Sequence, residues 1–273
     1  MWKRTDSGYP MGEGKDMNHI RRIGGAGCAA ILTAFVMSTD AALIISINVD
    51  EAQGRVPMRP SDLAGAPAVR VGNWNNYQAS STTITLAGVD LIYNDGTTVG
   101  GNFQVVISGP ATWTTDDGSV NDRRMYRGSH AILSDGGTVS VTFNNVPFAE
   151  YDLYFYVMGQ AASFRGGSIE LEGGPIYYFR GGTAPNDDGT GYVELTTTTI
   201  GEPPVKQEVN EGNFISFRGL TSSNATVTTT AHLWGDNARA QVYGFQVVQV
   251  PEPAVSGMMA LAGVLLWARR RRC

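Results

Sequence analysis

The 273-residue chain carries 20 lysines and arginines against 25 aspartates and glutamates, for a formal charge of −5, with 34 glycines, two cysteines and three histidines. Between residues 42 and 250 there are 11 basic and 20 acidic residues, a charge of −9, which argues against nucleic acid or anionic lipid as a partner of that stretch, since either demands a basic face. Cys28 and Cys273 both fall outside it, so it can build neither a disulfide framework nor a cysteine-rich metal site.

In chain order, residues 1–16 are polar and without apolar pattern, and read as an over-extended start. Met17 opens a secretory signal over 17–42: His19, Arg21 and Arg22 form the positive region, 24–37 the apolar core, and the small residues Thr39 and Ala41 lead to a cut after Ala41 or Ala42. The body, 43–250, begins with a strand over 44–49 whose Ile45, Ile47 and Val49 share a face. A long irregular connection over 51–76 carries Pro57, Pro60, Pro67 and Gly72, with Trp74 near its end and Tyr77 just beyond. Strands are predicted at 82–86 and 89–93, then a turn at Asn94-Asp95-Gly96, then a strand presenting Phe103, Val105 and Ile107.

The clearest alternation is Val139, Val141 and Phe143 against Ser140 and Thr142, a half-buried strand. Asn144-Asn145-Val146-Pro147 turns the chain into 151–158, which is apolar on both faces and therefore central in its sheet. These two strands are expected to form the hairpin at the heart of the fold. A short hairpin follows around Gly173-Gly174, then a threonine-rich strand over 192–199 and three late strands at 214–217, 226–233 and 240–250. Many glycines, few charges, no long helical period and about a dozen strands with frequent turn signals predict an all-β fold, a single β-sandwich or jelly roll. The layout looks like that of the galactose-binding-like sandwiches of bacterial surfaces. The likeness rests on the first strand, the 151–158 strand and the closing Phe245-Gln246-Val247-Val248, and carries no binding residue across.

Catalytic signatures are scarce. The body holds two histidines, His130 and His232, and no nucleophile elbow, zinc-protease pair or cysteine nucleophile. Glu150 with Asp152 and Glu170 with Glu172 sit at i, i+2, side by side on a strand instead of flanking a substrate as glycoside hydrolysis requires, so solvated sheet faces explain them better. No cofactor is expected, calcium being the candidate for Asp116, Asp117, Asn121 and Asp122, four oxygen side chains within seven residues, and for Asn186-Asp187-Asp188-Gly189, a second oxygen-rich loop; neither fits the twelve-residue calcium loop, and Asp-Asp-Gly is also a generic turn. Trp113, Trp74 and Trp234 lie in or beside loop-like stretches, where an indole can stack on the apolar face of a sugar ring; the alternative for each is a plug at the end of the core.

The C-terminus has three parts: Pro251-Glu252-Pro253, an apolar run over 254–268, and Arg269, Arg270, Arg271 and Arg272. The prolines interrupt strand and helix alike. The apolar run makes a helix of about 22 Å, short for a hydrocarbon core of about 30 Å, although arginines snorkel and bilayers thin. Four arginines belong on the cytoplasmic side, which places the body outside. In order, spacing and terminal placement this tail resembles the PEP-CTERM sorting signal of Gram-negative bacteria. That resemblance implies processing by exosortase, a membrane-embedded cysteine protease and presumed transpeptidase, a transient stay in the inner membrane, and a role at the cell surface or in the extracellular matrix, alongside exopolysaccharide and biofilm.

The reading is therefore a non-enzymatic exported surface protein, with a glycan-binding module and a secreted polysaccharide-degrading enzyme as the alternatives. Processing at both ends has a direct check: intact mass of the protein released from its native host is expected to exclude both Cys28 and Cys273, and a mature species retaining Cys273 reduces the tail to a plain anchor.

Overall fold

The computed structural model describes residues 41–50, 57–78, 83–110, 112–114, 121–159, 165–199, 209, 211–234 and 238–252. The predicted signal peptide, the apolar run and Arg269 to Arg272 lie outside these residues. Pro251 and Glu252 are exposed just past the last strand, and Pro253 falls outside. No helix among the described residues is long and apolar enough to cross a membrane.

Thirteen strands are described: β1 (Ile44–Asp50), β2 (Asn75–Gln78), β3 (Thr83–Ala87), β4 (Gln104–Ser108), β5 (Thr112–Thr114), β6 (Gly128–Ile132), β7 (Thr138–Asn144), β8 (Tyr151–Met158), β9 (Gly166–Leu171), β10 (Ile176–Arg180), β11 (Phe214–Leu220), β12 (Ala225–His232) and β13 (Ala240–Gln249). One five-residue helix, α1 (Asn121–Met125), precedes β6. The strands form two sheets. The seven-stranded sheet runs β11-β8-β13-β1-β2, with β6 also on β13 and β5 on β6; the six-stranded sheet runs β10-β9-β12-β7-β4-β3. This is an all-β architecture of two layers.

The alternation read from the sequence becomes the core. Ile45, Ile47 and Val49 of β1, Leu153, Phe155 and Val157 of β8, and Phe245 and Val247 of β13 meet Val105, Ile107, Val139, Val141, Phe143 and Val227 of the other sheet. At the centre the Phe143 ring stands edge-on to Phe155 at 6.1 Å and to Phe245 at 5.4 Å, while Phe155 stacks on Phe245 at 5.4 Å. Edge-to-face and offset aromatic pairs add to the area they bury.

Three expectations need correction. β7 and β8 do not form a hairpin: β7 pairs with β4 and β12, β8 with β11 and β13, so the 144–147 turn carries the chain from one sheet to the other. Both strands still point their phenylalanines into the same core, because facing sheets share an interior as hairpin strands share a face. Residues 88–90 form a 3₁₀ turn, leaving only a bridge from Ile92 to Thr98 where a strand was expected. The threonine-rich 192–199 stretch makes a single bridge, Glu194 to Phe214, since the β11 edge is otherwise not followed.

Phe155 is fully buried between the sheets. Phe155→Ala is expected to cost about 3–5 kcal/mol, the usual loss for a core phenylalanine, seen as a lower denaturation midpoint at unchanged m-value. An unchanged midpoint would mean that the sheets do not pack on this ring.

Candidate functional site

The outer face of the six-stranded sheet carries short polar side chains in register. Thr83, Ser108, Ser140, Thr228 and Glu170 form one row across five strands; Thr138, Thr230, Ser168 and Tyr178 lie opposite one another on four. Hydroxyls bridge neighbouring strands at 3.1 Å between Ser140 and Thr228 and at 3.3 Å between Thr142 and Thr226. β-branched threonine suits a pleated surface, and such cross-strand pairs stabilise a sheet without exposing apolar area.

At one end of this face the pattern breaks into a half-buried aromatic step. Trp234 stacks on His232 with centroids 5.3 Å apart and planes 24° off parallel, and Tyr178 meets His232 at 6.1 Å and Trp234 at 6.5 Å. β12 and β10 supply His232 and Tyr178 with β9 lying between them. Between them on β9, Ser168 lies opposite Tyr178 and Gly166 opposite both His232 and Arg180; a Cβ on Gly166 would collide with the Phe179 carbonyl. Ser168 Oγ lies 2.9 Å from His232 Nε2 and steadies the imidazole, while the Trp234 backbone N–H donates to the His232 carbonyl at 3.1 Å and folds the chain back so that the indole covers the ring. Burial holds the His232 pKa below the ordinary imidazole range, against the upward pull of Asp135, so the ring is neutral at neutral pH. The arrangement offers neutral aromatic surface and neutral hydroxyls, which suits an uncharged polyol.

Two clefts lie elsewhere. One of about 400 Å³ is lined by Tyr151, Leu171, Glu172, Leu220, Asn224 and Thr226 among others; one of about 260 Å³ lies between β2 and the β3 end, beside Asp90 and Leu91. Among the described lining residues each has a single carboxylate, Glu172 in the first and Asp90 in the second. Asp152 is engaged by the Gly219 N–H at 2.8 Å. His130 is buried, stacked on Tyr77 at 5.9 Å, with its pKa lowered by that burial.

No family model matches the chain, and no curated protein does. Among solved structures, a chain in the complex of the plant peptide RALF23 with FER and LLG2 is 13% identical at a TM-score of 0.33, covering 77% of this chain and 40% of that one. The CBM36-1 domain of a multidomain xylanase from the hindgut metagenome of Trinervitermes trinervoides is 10% identical at a TM-score of 0.28, covering 54% of this chain and 96% of that domain. An exo-beta-1,3-galactanase from Phanerochaete chrysosporium, solved with galactose, is 16% identical at 0.21, covering 52% of this chain and 32% of its own. This chain thus spans less than half of the plant and fungal chains. Likenesses this distant carry no argument about ligand or activity.

The outer face of the seven-stranded sheet is covered by a second apolar layer of Trp74, Met125, Tyr126, Tyr154, Tyr156, Phe214 and Tyr243, among others. A buried polar hub pins it. The Arg70 guanidinium donates through Nε and Nη2 to Asp122 Oδ2 at 3.1 and 2.8 Å; Asp122 Oδ1 accepts from the Tyr192 hydroxyl at 2.6 Å and the Gly65 N–H at 3.0 Å. Burial pushes the Asp122 carboxyl pKa up, against the pull of Tyr192, Arg70 and Gly65. Tyr156 donates to Gln246 Oε1 and accepts from the Ala66 N–H, and Gln246 Nε2 donates to Ser46 and to the Val69 carbonyl.

This geometry corrects several sequence expectations. Both oxygens of Asp122 accept from the guanidinium and its neighbours, and Asn121 Oδ1 accepts from the Leu63 N–H. Asp116 and Asp117 lie outside the described residues, among which no cluster of three metal-ligating side chains occurs. The two oxygen-rich loops, distant in sequence, meet: the Asp187 carbonyl accepts from Arg70 and Asn121. Trp74 is 4% exposed, its N–H donating to the Val71 carbonyl, so it is a core plug and not a sugar contact. Trp113 sits on β5 opposite Ser129. Trp234 alone of the three has a described, partly exposed ring. Tyr178 and His232 are not among the residues expected at a site, although alternation along β10 and β12 places both on the outward face.

Asp122→Ala would strand the Arg70 guanidinium and free the Tyr192 hydroxyl. Breaking a buried pair this way is expected to cost about 3–5 kcal/mol in chemical denaturation, and a loss under about 1 kcal/mol would mean that the hub does not secure the outer layer.

Proposed function

We propose that this is an exported, non-enzymatic protein of the cell surface or extracellular matrix whose β-sandwich body binds glycan. The observation that carries the binding reading is the Tyr178–His232–Trp234 step: two stacked rings, His232 and Trp234, with Tyr178 tilted against both, all half-buried at the head of a sheet face rich in hydroxyls. An indole beside neutral donors and acceptors is the equipment of a sugar-binding surface, because a pyranose has an apolar face and a polar rim. The rows below the step add few charges, which favours a neutral polysaccharide over an acidic one. Export and sorting rest on the tail: Pro251-Glu252-Pro253, the apolar run and the four arginines make exosortase the processing partner and the inner membrane a way-station.

The rival reading is a polysaccharide-degrading enzyme. It needs a second carboxylate facing Glu172 or Asp90 across a cleft, and the described residues lining these two clefts include none. Screening the purified protein on a glycan array, with a reducing-sugar assay on each ligand retained, separates the readings. Binding without release of reducing ends is expected. Trp234→Ala is expected to weaken it about tenfold, the equivalent of 1.4 kcal/mol, and Trp234→Phe to keep most of it. Unaltered binding in Trp234→Ala would move the site elsewhere, and release of reducing ends would make the protein an enzyme.

A further inference from the structure

The aromatic step and the chain ends occupy opposite ends of the sandwich. β13 starts with Gln241 beside Met158 and finishes with Gln249 beside Tyr151, while β1 runs against it with Ile44 opposite Val248. The Gln249 N–H donates to the Leu43 carbonyl at 2.9 Å and the Val250 N–H to the Glu150 carbonyl at 3.0 Å, so the body is entered and left at one place, immediately before Pro251. β12 starts at that end, where Ala225 and Thr226 line the 400 Å³ cleft with Tyr151, and finishes at the other with His232. Trp234 follows there, close to the start of β13. A ten-residue strand spans about 30 Å, which separates the two ends.

The exit end is acidic. Glu150, Glu172 and Glu252 are exposed there and Asp152 is half-buried. Asp95 is exposed next to Asn94, whose side chain holds the Ile44 N–H at 2.9 Å; Arg218, one residue before the Gly219 N–H that binds Asp152, pairs with Glu194 at 3.8 Å. Charges of one sign act on an anionic surface over a Debye length of about 8 Å at physiological salt.

We infer that the tethered protein stands with this acidic end toward the bilayer and the Trp234 end outward, held off anionic headgroups by like charge. Its partner on the membrane side is a lipid surface it does not lie down on, and the face offered to outside ligands is the aromatic one. The 400 Å³ cleft then faces the bilayer and is not the site of glycan capture. This rests on the tail reading of the proposed function, but not on glycan binding.

The test uses the full chain with Cys28→Ser and Cys273→Ser, in phosphatidylcholine vesicles with and without one third phosphatidylglycerol. A single bimane label goes on Ser223→Cys, in the exposed loop between β11 and β12 at the exit end, or on Ser134→Cys, in the exposed turn between β6 and β7 near Trp234. Nitroxide lipid is expected to quench the Ser223→Cys label several-fold more than the Ser134→Cys label, and phosphatidylglycerol to lessen that quenching. Vesicle-bound protein with equal or reversed quenching overturns the orientation while leaving the tether intact. Protein that fails to float with vesicles overturns both. Glycan affinity enters neither readout, so a negative array result would bear on the Trp234 site alone.

Discussion

The structure depends on β13 being buried on both sides. Nine of its ten residues are buried, and it pairs with β8, β1 and β6. One face supplies Val242, Phe245 and Val247 to the core between the sheets; the other supplies Tyr243 and Val248 to the second layer. The change of parity between Val242 and Phe245 comes from a bulge at Tyr243, where Gly244 is needed because a Cβ would lie 2.7 Å from the Ile47 carbonyl. Polar side chains on such a strand must be satisfied inside the protein: Gln241 donates to Ser129 and accepts from Tyr243, and Gln246 is held by Ser46, Val69 and Tyr156. Because the first and last strands are partners some 200 residues apart, the sheet cannot close until the whole body is present. Long loop closure of this kind makes for slow folding.

Local period was legible in the sequence, and pairing was not. Strict alternation in 139–143 and the doubly apolar 151–158 run correctly gave two strands and their core faces, and the Gly173-Gly174 hairpin is real. The same alternation could not say whether β7 and β8 lie beside each other or face each other, since either places Phe143 near Phe155. β2 was hidden inside a segment read as irregular: it holds Asn75 and Asn76, whose side chains bond backbone and one another's neighbours, and only Tyr77 is buried. β6 has no alternation to detect, because all five of its residues are buried.

The candidate site shows the same limit. Composition pointed to tryptophans, but whether an indole is a plug or a platform depends on what its N–H and its faces meet. Trp74 finds the Val71 carbonyl and the Tyr156 ring within a loop folded onto the sheet. Asp122 looked like a cation ligand because its cation, Arg70, lies 52 positions away and reaches it only once residues 57–73 cover β13. Tyr178 and His232 come together through β9, a neighbour of β12 only in space.

The two sheets thus differ in what they leave for function. The seven-stranded sheet spends its outer face on a second core, whose hub of Asp122, Arg70, Tyr192, Tyr156 and Gln246 turns its hydrogen bonds on one another and on nearby backbone. The six-stranded sheet leaves its outer face to solvent, and threonine and serine there meet every demand of a half-buried strand. Nothing in that requirement calls for three clustered rings at its edge: a threonine at 232 would continue the ladder, and partly exposed aromatic surface costs solvation that the core does not recover. Residues that pairing and packing would not select, set on a face that the described residues leave open, are where a ligand is to be sought.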